Sequence, residues 1–291
     1  MPLDASAARS QPPGPAFSPE WGGHRALSRT CVRLAIGVAL VAAGHLPAAL
    51  ADPADPASPP TTASGKIKIA FVGDSMIDGI WAGIVRATGK SSCYDGDFDL
   101  GRYAQVGSGL TRADHYNWPK AMGEIEASFH PDLVLASEGL NDIQGMVDGD
   151  GVRTAYNSPD YAAHYGDQVK LVISAAAPST AGVMWIGLPV LRDAAANRDA
   201  LAKNLIFEQA VTGFSQPTIE WVPPWRNLPS GADAFVTNGR GIAGSLIQLR
   251  VDDGVHFTGG GYDVLAAYVL PLMLNHLRAA GVDVRSTCAT Q

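Results

Sequence analysis

Ile67-Lys-Ile-Ala-Phe-Val-Gly-Asp-Ser-Met76 decides the fold. Ile67 to Val72 is a short apolar run closed by Gly73, which reads as a buried strand. A polar Asp74-Ser75 pair follows at once. Ile77 to Thr88 then has helical spacing and stops near Gly89. A strand that turns sharply into a helix is the opening of a βαβ unit.

The same alternation continues along the chain. Phe98 to Val106 is a weaker strand before a glycine-rich turn, and Trp118 to Phe129 is helical up to Pro131. Leu133 to Ser137 is a second buried strand. Tyr161 to Ala177 reads as a helix, Val183 to Leu188 as a strand, Asp199 to Val211 as a helix and Thr218 to Val222 as a strand. Gly261 to Ala280 reads as a last helix, kinked or broken at Pro271. Fully apolar strands alternating with helices predict a parallel sheet covered on both faces.

In such a sheet, sites form beyond the carboxyl ends of the strands. Four polar segments fall there: Gly73-Asp74-Ser75-Met76, Gly107-Ser108-Gly109-Leu110-Thr111, Gly139-Leu140-Asn141-Asp142 and Asp253-Gly254-Val255-His256. Together they suit acyl transfer. A serine needs a base to become nucleophilic, and a base histidine needs a carboxylate to hold its tautomer. Ser75, His256 and Asp253 supply these types. An oxyanion needs donors. The Ser75 amide, a glycine amide of the second segment and the Asn141 side chain are candidates. Taken singly, each segment also reads as a helix cap or a turn. Their order along the chain, each after a strand except the last, carries the reading.

The joint pattern resembles the SGNH, or GDSL, hydrolase superfamily. Ser75 matches its nucleophile, Asn141 its oxyanion asparagine, and Asp253 and His256 its acid and base. Gly109, in Gly-Leu-Thr, matches its oxyanion glycine better than Gly107 does. Gln105 departs from the pattern, standing where many members carry an asparagine. The resemblance spans about Ile67 to Ala280. It implies a three-layer α/β/α, flavodoxin-like fold with five parallel strands, a shallow site, and neither cofactor nor metal. Through Gly107-Ser-Gly-Leu-Thr-Arg112, Asn117-Trp-Pro119, Trp185-Ile-Gly-Leu-Pro189 and Asp253-Gly-Val-His-Phe-Thr258 the chain resembles more closely an uncharacterised exported bacterial subgroup. Ester hydrolysis, with short or acetyl acyl groups on an envelope glycan, is the activity implied. O-acyl transfer with the same residues is the alternative, and a non-catalytic glycan-binding module a third reading. The substrate partner is then an acylated small molecule or glycan.

The N-terminal 51 residues read as something other than fold. Arg25, Arg29 and Arg33 precede the apolar run from Leu34 to Leu46, and Ala49-Leu50-Ala51 follows. That order describes a secretory signal peptide cleaved before Asp52. An uncleaved N-terminal anchor is the other reading. Residues 52–65 are Pro-, Ala-, Ser- and Thr-rich and read as a linker, which leaves 66–291 for the folded domain. The expected location is therefore periplasmic or secreted, with no stable membrane insertion after cleavage. Formal net charge is −7 with no basic stripe, which argues against nucleic acid. Cys93 and Cys288, the two cysteines left after cleavage, form one disulfide or stand as two thiols.

Several other residues have two readings. Trp118 is a core residue or a substrate platform. Arg112 and Arg250 contact substrate or pair with nearby acids such as Asp114 and Asp252. His115, His130, His164 and His276 read as solvated surface residues.

Overall fold

The structure is a computed structural model in which residues 65–90, 94, 96–179, 181–223 and 234–284 are described. The proposed signal peptide, its boundary at Asp52, residues 52–64 of the linker, Cys93 and Cys288 lie outside the described residues. In chain order the elements are β1 Ile67–Gly73, α1 Ser75–Gly89, β2 Phe98–Ala104, α2 Trp118–Phe129, β3 Leu133–Ser137, β4 Met146–Val147 and β5 Arg153–Thr154. They continue with α3 Tyr161–Ala176, β6 Val183–Ile186, α4 Ala194–Thr212, β7 Ile219–Val222, β8 Asn238–Arg240, β9 Leu246–Gln248 and α5 Gly259–Ala279.

Five strands form one parallel sheet in the order β2-β1-β3-β6-β7. The chain leaves β1 in one direction to form β2, then crosses to the other side to form β3. The carboxyl ends of β1 and β3 therefore flank the point where winding reverses, and an open α/β sheet has its crevice there. Gly73 and Ser137 are paired in register at that place.

Side chains of β1 divide between two cores, as a period of two requires. Ala70 and Val72 join Met122 and Ile125 of α2, Tyr165 and Val169 of α3, and Phe207 of α4. Ile69 and Phe71 join Ile77, Ile80 and Ile84 of α1 and Leu265, Val269 and Met273 of α5. The three-layer α/β/α arrangement follows from these two apolar faces.

Some element ends differ from the sequence reading. Helix α4 starts at Ala194 because the Asp193 carboxylate accepts from the amides of Ala195 and Ala196, at 2.9 and 2.8 Å. Helix α5 runs through Pro271 instead of breaking there. A proline removes the bond to the carbonyl four residues back. That carbonyl belongs to Ala267, and Ala267 and Pro271 are both exposed, so water can satisfy it. The hairpins β4–β5 and β8–β9 are new, with strands of two or three residues, too short for any periodicity. Among the described residues no helix is long and apolar enough to cross a membrane.

His276 is not a surface residue. It is buried on α5, its Nδ1 is 2.8 Å from Glu220 Oε2 on β7, and its Nε2 is 2.8 Å from the Ala181 carbonyl. Both ring nitrogens face acceptors, so the protonated ring satisfies both. Burial lowers the His276 pKa, but the bonds to Glu220 and Ala181 outweigh it and the net shift is upward. A raised folded-state pKa gives stability that is complete below the ordinary histidine value and is lost as pH rises through the folded one. The melting-temperature advantage of the wild type over His276→Gln is therefore expected to be larger at pH 6 than at pH 9. Thermal melts of both proteins across that range check it; an equal gap at both ends contradicts it.

Candidate active site

Ser75 is placed by a close approach of two strand ends. Gly73 has φ +140°, and a Cβ there would lie 1.9 Å from the Ser137 carbonyl oxygen. Only glycine lets β1 end so near β3. The next residue, Asp74, is fully buried. Its Oδ1 accepts from the Met76 amide at 2.8 Å and its Oδ2 from the Leu140 amide at 3.3 Å. It thus caps α1 and ties the turn to the loop after β3. Burial pushes the Asp74 pKa up to about 6, against the two amide bonds and with help from Asp142. Ser75 opens α1, so its amide belongs to the helix end whose N–H groups lack intrahelical partners. The positive end of the helix dipole favours negative charge there.

His256 arrives on the loop before α5. Ser75 Oγ is 2.7 Å from His256 Nε2, and His256 Nδ1 is 2.7 Å from Asp253 Oδ2. Asp253 Oδ1 accepts from the amides of Val255 and His256, at 2.7 and 3.0 Å. Burial raises the Asp253 pKa, but the His256 ring and the two amides together hold it at about 2. Asp253 can therefore fix the ring with Nδ1 protonated and leave Nε2 to take a proton from Ser75.

Two arginines hold this loop from beneath. Arg250 is 4% exposed and does not pair with Asp252. It donates to the carbonyls of Val255, Val190 and His256, at 2.6, 2.9 and 3.3 Å. Its guanidinium also lies 4.2 Å from the Phe257 ring centroid and 4.8 Å from that of Phe235. Burial lowers its pKa to about 10, which leaves it a cation at neutral pH. Arg192 donates to the Asp252 carbonyl at 2.8 Å, and its amide donates to the Gly254 carbonyl at 3.0 Å.

The loops after β2 and β3 are locked together by Asp142. This fully buried carboxylate accepts from the Leu110 amide, the Thr111 amide, the Thr111 hydroxyl and the Tyr165 hydroxyl, at 2.9, 3.0, 2.6 and 2.7 Å. A Cβ at Gly109 would lie 2.0 Å from Asp142 Oδ1, so only glycine fits beside it. Gln105 contributes through its backbone: its amide donates to Gly73 and its carbonyl accepts from Ser108. Asn141 Nδ2 donates to the Ser108 carbonyl at 2.8 Å, which leaves its second N–H for another acceptor. Gly109 and Asn141 line one cavity of about 420 Å³, together with Arg112, His115, Tyr116 and Gln144.

The structure thus brings Ser75, His256 and Asp253 into hydrogen-bond contact and sets Gly109 and Asn141 against one cavity. Arg112 pairs with Asp114, at 2.8 Å for both bonds. Trp118 is core, with its Nε1 on Ser108 Oγ at 3.0 Å. Sequence reasoning missed Asp142, Glu138, Ser108 and the loop-holding role of Arg250. The one signal for Glu138 is that an acid directly follows a mostly apolar strand, and Asp142 stands in the loop four residues further on.

This sheet order and helix arrangement define a three-layer α/β/α fold with flavodoxin-like winding. The chain belongs to the family described as Protein of unknown function (DUF459), whose profile matches residues 68–272. Among solved structures, a carbohydrate esterase family 3 from Talaromyces cellulolyticus superposes with a TM-score of 0.50. It is 15% identical over 73% of this chain and 99% of its own. An acetyl esterase mutant with acetate ion also gives 0.50, at 14% identity over 73% of this chain and 99% of its own. No curated protein matches the chain.

Asp142→Ala is expected to orphan four buried donors. Leaving even a few of these unsatisfied costs about 3 kcal/mol or more, so the denaturation midpoint falls sharply. Urea unfolding of the variant checks it, and an unchanged midpoint contradicts it.

Proposed function

We propose that this protein is an exported serine esterase that hydrolyses short-chain carboxylic esters on a glycan. The observation that carries the proposal is the unbroken relay from Ser75 Oγ through His256 to Asp253, with 2.7 Å at each step. In the first half-reaction Ser75 Oγ attacks the ester carbonyl while its proton passes to His256 Nε2. The Ser75 amide, the Gly109 amide and the second Asn141 N–H hold the developing oxyanion. His256 then gives the proton to the departing alkoxide, leaving an acyl-serine. Water attacks the acyl group while His256 Nε2 takes its proton; the acyl–Oγ bond then breaks, His256 returns that proton to Ser75 Oγ, and the carboxylic acid leaves. Asp253 stays ionised throughout, in keeping with its low pKa.

The cavity beside Asn141 supports a hydroxyl-rich substrate. Arg112, His115, Tyr116 and Gln144 give this cavity a polar lining that can hydrogen-bond to sugar hydroxyls and offers a long alkyl chain little apolar contact. The two esterases named above carry carbohydrate and acetyl in their descriptions, in line with this substrate class. Export rests on the basic segment, apolar run and Ala49-Leu50-Ala51.

Ser75→Ala is expected to lower kcat on p-nitrophenyl acetate by about 10³-fold or more, and Asn141→Ala by about 10²-fold. Steady-state kinetics of the purified proteins check both. Wild-type turnover by Ser75→Ala removes it as nucleophile, and a change in KM alone removes Asn141 from the oxyanion site. For export, N-terminal sequencing of the envelope fraction should begin at Asp52. A full-length product held in the membrane means an anchor instead.

A further inference from the structure

Glu138 is a buried acid for which ester hydrolysis has no step. It follows β3 and is 2% exposed. Its Oε2 accepts from Ser108 Oγ at 3.0 Å and its Oε1 from the Gly139 amide at 3.3 Å. Ser108 Oγ also accepts from Trp118 Nε1 at 3.0 Å, at the start of α2. The carbonyl of that same Ser108 accepts from Asn141 Nδ2. Ser108 is thus gripped through its hydroxyl by Glu138 and Trp118, and through its carbonyl it grips Asn141.

The grip matters because a carboxamide is planar. With one N–H of Asn141 committed to Ser108, the direction of the other is set by where the Ser108 carbonyl sits. Donors that stabilise an oxyanion must be aimed before the charge develops. We propose that Glu138 is a positioning residue for Asn141, acting through Ser108. The proposal rests on the esterase reading above.

The form in which Glu138 does this follows from its surroundings. Burial raises its pKa, and the nearby carboxylates of Asp74 and Asp142 raise it further. Asp142 has four donors and Asp74 has two backbone amides, whereas Glu138 has one hydroxyl and one long amide contact. No cation is among its hydrogen-bond partners. These surroundings favour the protonated acid over the carboxylate, so a neutral carboxamide of the same shape can stand in for it. Hydrolysis needs no proton from it.

The test is a mutant cycle on p-nitrophenyl acetate with wild type, Glu138→Ala, Glu138→Gln, Asn141→Ala and the Glu138→Ala/Asn141→Ala double variant, each also melted thermally. Glu138→Ala should lower kcat by about tenfold or more with KM within about twofold, since only a transition-state contact is disturbed. Glu138→Gln should keep kcat within about threefold. Because Glu138 acts through Asn141, the double variant should be within about twofold of Asn141→Ala alone. Additive losses in the double variant, a loss confined to KM, or a Gln variant as slow as the Ala variant each overturn the proposal. Where Glu138→Ala melts below assay temperature, Ser108→Ala replaces it, and additivity with Asn141→Ala overturns the proposal equally. Ser75→Ala separates the two levels. Turnover by it at the wild-type rate brings down the esterase reading and this one together. Loss of turnover with an additive cycle brings down only the role of Glu138.

Discussion

The buried Asp142 carboxylate is the constraint on which the site depends. It draws two amides and a hydroxyl from the loop after β2 and a fourth donor from α3. A loop rich in glycine has high conformational entropy and few side chains to pack, so bonds to a buried charge must order it. The Gly109 backbone can come this close only without a side chain. The order then passes outward to Ser108, to Asn141 and to the cavity they line.

A second unit, built on different chemistry, carries His256. The Asp253–His256 loop is short and half exposed, yet its ring must meet Ser75 from 181 residues away. Here cations and backbone carbonyls do what Asp142 does opposite. Arg250 and Arg192 hold the loop from beneath, while Asp253 folds back on its amides. Ser75 lies between the two units, just after the end of β1. Its own position comes from the sheet, through Gly73 against Ser137 and the Asp74 cap. Three independent supports thus converge at one strand end.

Much of this was legible in the residues. The strands at Ile67, Leu133 and Val183 are mostly apolar runs, and apart from the half-buried Lys68 the structure buries them on both faces. Ser75 and Asn141 could be singled out because polar residues at strand ends stand out against such runs, and His256 because Asp253 stands three residues before it ahead of the last helix. Supports were harder to read, because hydrogen-bond partners far apart in sequence leave no spacing signature. Glu138 and Asp142 look like ordinary turn acids until the fold buries them. Arg250 beside Asp252 suggests an ion pair, but its side chain points inward to Val190 and Val255. Pro271 does not end α5, since it and Ala267 lie on the exposed side of the helix, where water can satisfy the freed carbonyl. His276 looked solvated because nothing local marks the partner on β7.

The grip of the two arginines on the main-chain oxygens of residues 190, 252 and 255 has an evolutionary consequence. A carbonyl is the same whatever side chain its residue bears. Arg250 and Arg192 therefore do not read the identities of residues 190, 252 and 255. Substitutions at these positions can drift, or be selected for new substrate contacts, while the loop keeps its path. The geometry of the base is thereby insulated from diversification of the surface around it.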